Sequence, residues 1–265
     1  MSVSNVYNMD CMEALKAFPD GYFELCIADP PYGINVTGRH RSQTIQVERE
    51  RESRTPLVGG GGRPFGGKKA QIHGGDRNGR PIADKDERRV KKLFIESTFY
   101  PVFDDSSPPD ADTFRELKRV SKKLIIWGGN FFLDHLGATS CMIVWDKKRR
   151  GMDQADCEIA WTNLKGQSRI FEYKWNGMLQ EDMKNKEVRI HATQKPVALY
   201  KWLLANFAER GDKILDPYLG SGSSRIAAYE MGFDFYGYEL SKVYFDLQEE
   251  RFAKHTAQMN LFVDP

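Results

Sequence analysis

The 265-residue sequence predicts an α/β fold, a Rossmann-like, doubly wound and mostly parallel sheet carrying one insertion rich in Gly, Arg and Lys. Three observations lead there. Short apolar runs of strand length alternate with amphipathic stretches of helical period, the pattern of parallel strands joined by crossover helices. Two of the predicted strands end in chemically loaded turns, Asp29-Pro30-Pro31-Tyr32 and Asp216-Pro217-Tyr218-Leu219-Gly220-Ser221-Gly222, and strand ends are where open α/β sheets place their sites. Apolar residues make up 40% of the chain, enough for a substantial core, and are scarce only in the insertion.

The elements follow in order. Residues 3–8 read as a short strand and 11–18 as a helix opened by Asp10, a good N-cap residue. Residues 23–28 form a second strand, stopped by Asp29-Pro30-Pro31. After the insertion, 111–120 has helical period and 124–127 is a buried strand ending in the Gly128-Gly129 turn. Strands are expected at 142–145, 158–161 and 170–175. Pro196 then stands at a helix start, where its missing N–H costs nothing, ahead of the apolar face Val197, Tyr200, Leu203, Leu204 and Phe207. A strand at 213–215, a helix at 223–231, a strand at 235–238 and a helix at 242–254 complete the pattern. In the run Arg169-Ile170-Phe171-Glu172-Tyr173-Lys174-Trp175, alternation predicts aromatic side chains turned to the core.

Composition limits the function. With 39 Lys+Arg against 37 Asp+Glu, the net charge of +2 argues against a disordered chain and against a protein that coats nucleic acid by bulk charge. The aliphatic runs are too short to cross a bilayer, and the N-terminus shows no basic segment followed by an apolar one, so a cytoplasmic protein without a membrane partner is expected. Cys11, Cys26, Cys141 and Cys157 form no CxxC pair, which predicts reduced, mostly buried thiols and no metal site. The charge is uneven, however. Residues 36–92 hold 15 Lys+Arg against 7 Asp+Glu, a net +8 that leaves −6 on the other 208 residues, and they contain 10 of the 23 glycines. Such a segment is either a solvated loop or a basic flap on a polyanion, with Arg39, Arg41, Arg63, Lys68, Lys69, Arg77 and Arg80 as phosphate contacts.

The two strand-end turns carry the chemistry. At 214–223 a strand runs into glycines two apart and then a helix, which lets backbone approach a ligand and favours an anionic group at the helix start. The next predicted strand ends in Glu239, placed to accept hydrogen bonds from ribose hydroxyls. No Gly-Lys-Ser/Thr follows the turn and position 225 is Arg, which disfavours ATP and NAD. At the other turn, the carboxylate of Asp29 and the carbonyl of Pro30 are suited to grip an exocyclic amino group, whose lone pair is delocalised into a base ring. Pro30 and Pro31 fix those acceptors, and Tyr32 offers a flat face. Such a site acts on a base taken out of the stack.

These motifs, in this order, resemble the S-adenosylmethionine-dependent DNA amino-methyltransferases of the permuted β class, in their compact, phage-like form. His191-Ala192-Thr193-Gln194-Lys195-Pro196 resembles the family's segment before the cofactor motif, with Ala192 where the family has Pro, and Tyr218 stands where it has Phe. Asn8-Met9-Asp10-Cys11, Ile126-Trp127-Gly128-Gly129-Asn130-Phe131 and Val144-Trp145-Asp146-Lys147 resemble further family turns and strand ends. The resemblance implies the class I methyltransferase fold and S-adenosylmethionine as cofactor. It implies a catalytic pocket of Asp29, Pro30, Pro31 and Tyr32. It implies a cofactor site of Asp10 and Cys11 at the adenine, Glu239 at the ribose, and Asp216, Tyr218, Gly220, Ser221, Gly222 and Ser223 around the methionine part. Thr193 and Lys195 would close that site, Lys195 near the carboxylate. Residues 1–35 and 93–162 would form the catalytic half, 163–189 a short target-recognition region, 190–257 the cofactor half and 258–265 a tail.

The expected reaction is methylation of adenine N6 in double-stranded DNA. Cytosine N4 is the alternative, since its acceptor chemistry is the same, and a non-catalytic DNA-binding relative is a further one. Asp29, where N4 enzymes more often carry Ser, favours adenine. C5 methylation needs a nucleophilic Cys after Pro, and none of the four follows one. Many relatives dimerise, so a homodimer is an expected partner state. Finally, Gln258-Met259-Asn260-Leu261-Phe262 resembles the peptide with which bacterial DNA enzymes dock on the sliding clamp, through Gln258, Leu261 and Phe262; the other reading is a tail folded on its own domain.

Overall fold

The computed structural model describes residues 3–34, 100, 105–151, 155–176 and 179–260, with backbone only at 259 and 260. The chain divides into two units, Met1–Thr37 with Pro101–Pro265 and Gly38–Tyr100, and every described residue except Tyr100 belongs to the first. The expected phosphate contacts Arg39, Arg41, Arg63, Lys68, Lys69, Arg77 and Arg80 lie outside the described residues, as do Leu261 and Phe262.

The elements are β1 (Ser4–Tyr7), α1 (Cys11–Leu15), β2 (Phe23–Ala28), α2 (Ala111–Val120), β3 (Ser121–Trp127), a 3₁₀ turn (Gly129–Phe131), α3 (Leu133–Leu136), β4 (Met142–Asp146), β5 (Cys157–Thr162), β6 (Arg169–Glu172), β7 (Trp175–Asn176), β8 (Leu179–Gln180), α4 (Val197–Phe207), β9 (Lys213–Asp216), α5 (Ser223–Met231), β10 (Asp234–Tyr238) and α6 (Lys242–Asn260). Eight strands form one sheet in the order β1-β10-β9-β2-β3-β5-β4-β6. All neighbours are parallel except those of β5, which runs antiparallel to both β3 and β4.

Alternation along the central strands builds two core layers. Leu25, Ile27, Ile125, Trp127 and Ile214 face α4 and α5, meeting Leu199, Leu203, Leu204, Ala227 and Ala228. Cys26, Ala28, Leu124, Ile126 and Leu215 face the other side, against Leu15, Phe114, Leu117 and Val120 of α1 and α2. A sheet buried on both faces needs near-continuous apolar strands, which is what β2 and β3 supply.

The strand order places the site. β9 and β2 are neighbours, pairing Leu25 with Ile214 and Cys26 with Leu215. The chain leaves β9 toward β10 on one side and leaves β2 toward β3 on the other. Between them lies the topological switch point, where an open sheet forms a crevice beyond its strand ends. The Asp29 and Asp216 turns, distant in sequence, open side by side into it.

Some boundaries differ from expectation. α1 stops at Leu15, and Ala17 and Phe18 follow in tighter turns, with N–H groups donating to Ala14 and Leu15 carbonyls. The single strand expected at 170–175 splits into β6 and β7: Tyr173 N–H donates to the Asp146 carbonyl at the sheet's edge, and Lys174 N–H leaves the ladder for the Glu181 carboxylate. Phe171 and Tyr173 nevertheless stack and pack on the core, and Trp175 is buried with its indole N–H on the Gln194 carbonyl. α6 continues to Asn260, so Gln258 sits in its last turn rather than in a free tail. Arg225, where a dinucleotide site carries its third glycine, instead ties α5 to β1 and α6: its buried guanidinium donates to Ser4 Oγ, Gln248 Oε1 and Glu249 Oε1 and lies over the Phe252 ring.

Candidate active site

The Asp29 turn is held from three directions. Buried Asp105 accepts the backbone N–H groups of Tyr32 and Gly33 on its Oδ1, at 2.7 and 3.2 Å. The Gly128 backbone passes against the Tyr32 ring so closely that a Cβ there would lie 2.3 Å from it, and Gly128 has a φ of +66°. That position therefore requires glycine on both counts. From the same turn, Phe131 stacks on Tyr32 with centroids 5.1 Å apart and planes 23° from parallel, and it is half exposed. Tyr32 itself donates its hydroxyl to Asp29 Oδ1 at 2.8 Å.

The other carboxylate oxygen of Asp29 pairs with the ammonium of Lys195, a side chain almost fully buried. Lys195 also pairs with Glu158 Oε2 at 3.2 Å, and lies 3.4 Å from the Tyr32 hydroxyl. Glu158 in turn pairs through Oε1 with the buried Lys147. The result is a chain of alternating charge, Asp29, Lys195, Glu158, Lys147, walled by aromatic rings. Lys195 lies 5.5 Å from the centroid of Trp127 and 5.9 Å from that of Tyr32, and Lys147 lies 4.9 Å from that of Trp145.

Burial sets the proton affinities. It pushes Asp29 above the usual carboxylate range, more than Lys195 can offset, with the Glu158 charge adding to the rise. For Glu158 burial acts the same way, but Lys195 and Lys147 outweigh it and hold the carboxyl at about 2. Lys195 is raised, because Asp29 and Glu158 overcome its burial, whereas burial lowers Lys147.

Across the crevice, Gly220 and Gly222 take φ values of +51° and +71°, and the turn leads into the N-terminus of α5. Glu239 pins this turn, accepting Gly220 N–H and Ser241 N–H at 2.8 Å each. Burial raises Glu239 as well. Asp216 accepts Tyr218 N–H and the Ser224 hydroxyl, and burial pushes it up to about 7 despite those bonds. Asp10 caps α1 by accepting Met12 N–H at 2.9 Å, and burial pushes the neighbouring Cys11 thiol up to about 12, in contact with the Tyr218 hydroxyl. Asn8 joins this turn to β10 by donating to the Glu239 and Leu240 carbonyls. Ser221 and Ser223 are held by Arg251, which also pairs with Glu187.

The expected residues thus gather as two adjoining clusters, Asp29 to Tyr32 with Lys195, and Asp10, Cys11, Asp216, Tyr218, Gly220 to Ser223 and Glu239. Lys195, expected to close the cofactor site, has its ammonium paired with Asp29 and Glu158. Thr193 is held by His191, whose Nδ1 accepts the Thr193 N–H; burial lowers that imidazole to about 4, so it is neutral. Glu158 and Asp105 are the site residues that the sequence motifs did not include, and Lys147 and Phe131 stand in motif segments to which no role was attached. A single acid in the apolar strand Cys157–Thr162 is the one signal that marks Glu158.

Residues 107–250 match the model of the N6/N4 DNA methylases, described as DNA methylase, a span that includes Glu158, Lys195, Asp216 and Glu239. The type II methyltransferase M2.DpnII of Streptococcus pneumoniae is 34% identical over 248 residues, covering 91% of this chain and 87% of that protein. M2.MboI of Moraxella bovis, also a type II methyltransferase, is 21% identical over 266 residues, with 95% and 88% covered. The solved structure of PvuII DNA methyltransferase (cytosine-N4-specific) shares the fold at a TM-score of 0.50 and 13% identity, covering 98% of this chain and 93% of that one. The chain belongs to the N6/N4 DNA methylase family, and it is a DNA methyltransferase whose cofactor is S-adenosylmethionine.

Because Gly128 fixes the Tyr32 ring, Gly128→Ala should lower the methyl-transfer rate on DNA by about tenfold or more. Cofactor affinity by calorimetry should stay within about twofold, since the cofactor turn is built on other strands.

Proposed function

We propose that this chain methylates the N6 amino group of an adenine turned out of duplex DNA. The observation that carries the reading is the Asp29 carboxylate, raised in proton affinity and held at the switch point beside the Gly220-Ser221-Gly222 turn. Asp rather than Ser at this position favours adenine over cytosine. The carboxylate and the Pro30 carbonyl would accept hydrogen bonds from the two amino protons, so that the nitrogen lone pair withdraws from the ring. Tyr32 and Phe131 would present the faces on which the base stacks.

The second cluster fits the cofactor. Asp216 is a buried carboxylate whose proton affinity is raised by that burial, so an ammonium group suits it. Glu239 retains lone pairs for ribose hydroxyls, and Asp10 with the Cys11 backbone would reach the adenine ring. Gly220, Ser221, Gly222, Ser223 and Tyr218 would surround the methionine part, with Thr193 closing the site. Bound there, S-adenosylmethionine would supply an electrophilic methyl group, its C–S electron pair leaving with the sulfur as the N6 lone pair forms the N–C bond, and Asp29 would take the proton that the nitrogen sheds. Arg39, Arg41, Arg63, Lys68, Lys69, Arg77 and Arg80 are proposed to neutralise DNA phosphates.

Nucleoside mass spectrometry of bacterial DNA treated with the protein and labelled cofactor should find the label in N6-methyladenine. Label in N4-methylcytosine would overturn the base assignment. Asp29→Asn should abolish transfer while cofactor binding persists. A second expectation concerns pH. If Asp216 must be ionised to hold the cofactor's ammonium, affinity weakens as pH falls through about 7, approaching tenfold per pH unit below it. Calorimetry across that range should show the slope in the wild type and its loss in Asp216→Asn.

A further inference from the structure

We propose that Glu158 is a positioning residue for methyl transfer: with Lys147 behind it, it holds Lys195 between two carboxylates, so that Lys195 orients Asp29 without quenching Asp29 as a proton acceptor. The proposal rests on the reading of Asp29 as the group that receives the amino proton.

The geometry carries it. The Lys195 ammonium forms ion pairs with Asp29 Oδ2 and Glu158 Oε2 and donates to the Tyr32 hydroxyl. With Asp29 as its one counter-ion, the whole cation would bear on the acceptor carboxylate. Glu158 takes part of that charge, and Lys147 compensates Glu158, so the four groups sum to zero in a poorly solvated pocket. Isolated charge there would be costly, and Lys147 supplies the counter-charge that the added Glu158 needs.

The two carboxylates are driven apart in proton affinity by these surroundings, Asp29 upward and Glu158 down to about 2. Glu158 therefore stays ionised through the range in which Asp29 takes up and releases a proton. Divergent affinities in a paired set of acids separate a working acid or base from its electrostatic support. Asp29 is faced by Lys195 ahead of α4, Glu158 on β5, Tyr32 on its own turn, Tyr200 on α4 and Asp216 on β9, and Lys147 follows β4 to reach Glu158. Of these, Glu158 is an acid that shares the cation of Asp29. Neither Glu158 nor Lys147 belongs to the cluster assigned to the cofactor.

The sign of the effect is defined. Asp29 must be ionised to accept a proton, so turnover is lost as pH falls through its raised value. The charge of Glu158 helps to raise that value, and removing it lowers the value and moves the acid limb of the rate profile to lower pH. The experiment measures single-turnover methyl transfer to genomic DNA from a methylation-deficient bacterium, at saturating S-adenosylmethionine, across about pH 5–9. Glu158→Gln is expected to move the acid limb down by about half a pH unit or more and to reduce the plateau rate by about tenfold. Calorimetric affinity for the cofactor should remain within about twofold of the wild type. Glu158→Gln combined with Lys147→Met, which leaves no uncompensated cation, should show the same downward move and serves if the single variant fails to fold. An acid limb that stays in place or moves up in the folded variant, or a rate loss matched by an equal loss of cofactor affinity, would overturn the proposal. Residual transfer in Asp29→Asn would instead overturn the underlying reading of Asp29.

Discussion

Lys195 is the interaction on which the site depends. Its ammonium is almost fully buried at the meeting of β2, β5 and the segment before α4, and a buried cation is tolerable only with counter-charge in contact. That requirement fixes Asp29 at the end of β2 and Glu158 on β5, and it extends outward to Lys147. The same ammonium sits against Tyr32 and Trp127, so aromatic walls that exclude water also strengthen the pairs they enclose. Burial, rather than any single hydrogen bond, is what raises the proton affinity of Asp29.

The fold brings this pocket to the cofactor turn by topology. β2 and β9 are adjacent parallel strands whose onward connections diverge, so both turns open into one crevice. Glu239, following β10, pins Gly220 in the turn, and Arg251 on α6 ties Ser221 and Ser223 to Glu187. Gln180 of β8 holds the backbone of Glu187 through both ends of its amide. The Gly220–Ser223 turn, the β7–β8 hairpin and α6 thus share one hydrogen-bonded frame.

Much of this was legible in the sequence, for physical reasons that differ by element. β2, β3, α2, α4, α5 and β10 declare themselves because their apolar residues repeat with a clear period and their ends carry Asp, Pro or Gly. Asp29, Tyr32, Asp216, Gly220 and Glu239 stand in turns whose residue types are costly unless used. Glu158 gives no such signal, since its meaning lies in contacts with Lys147 and with Lys195, distant in sequence, and a single acid in a strand looks like a solvent-facing side chain. Lys195 is visible as a motif residue, but its pairing with Asp29 and Glu158 is not, since all three are distant in sequence. The hairpin β7–β8 is too short for periodicity, and the break after β6 comes from hydrogen bonds to Asp146 and Glu181 that no local pattern encodes.

The central claim is that Asp29 and Lys195 form one coupled, buried unit, and a double-mutant cycle in urea unfolding tests it most directly. Lys195→Met should leave a carboxylate without its cation, Asp29→Asn a cation short of one counter-charge, and the pair should recover part of both losses. The account predicts a coupling free energy of about 2 kcal/mol or more. Additivity within about 0.5 kcal/mol would contradict it.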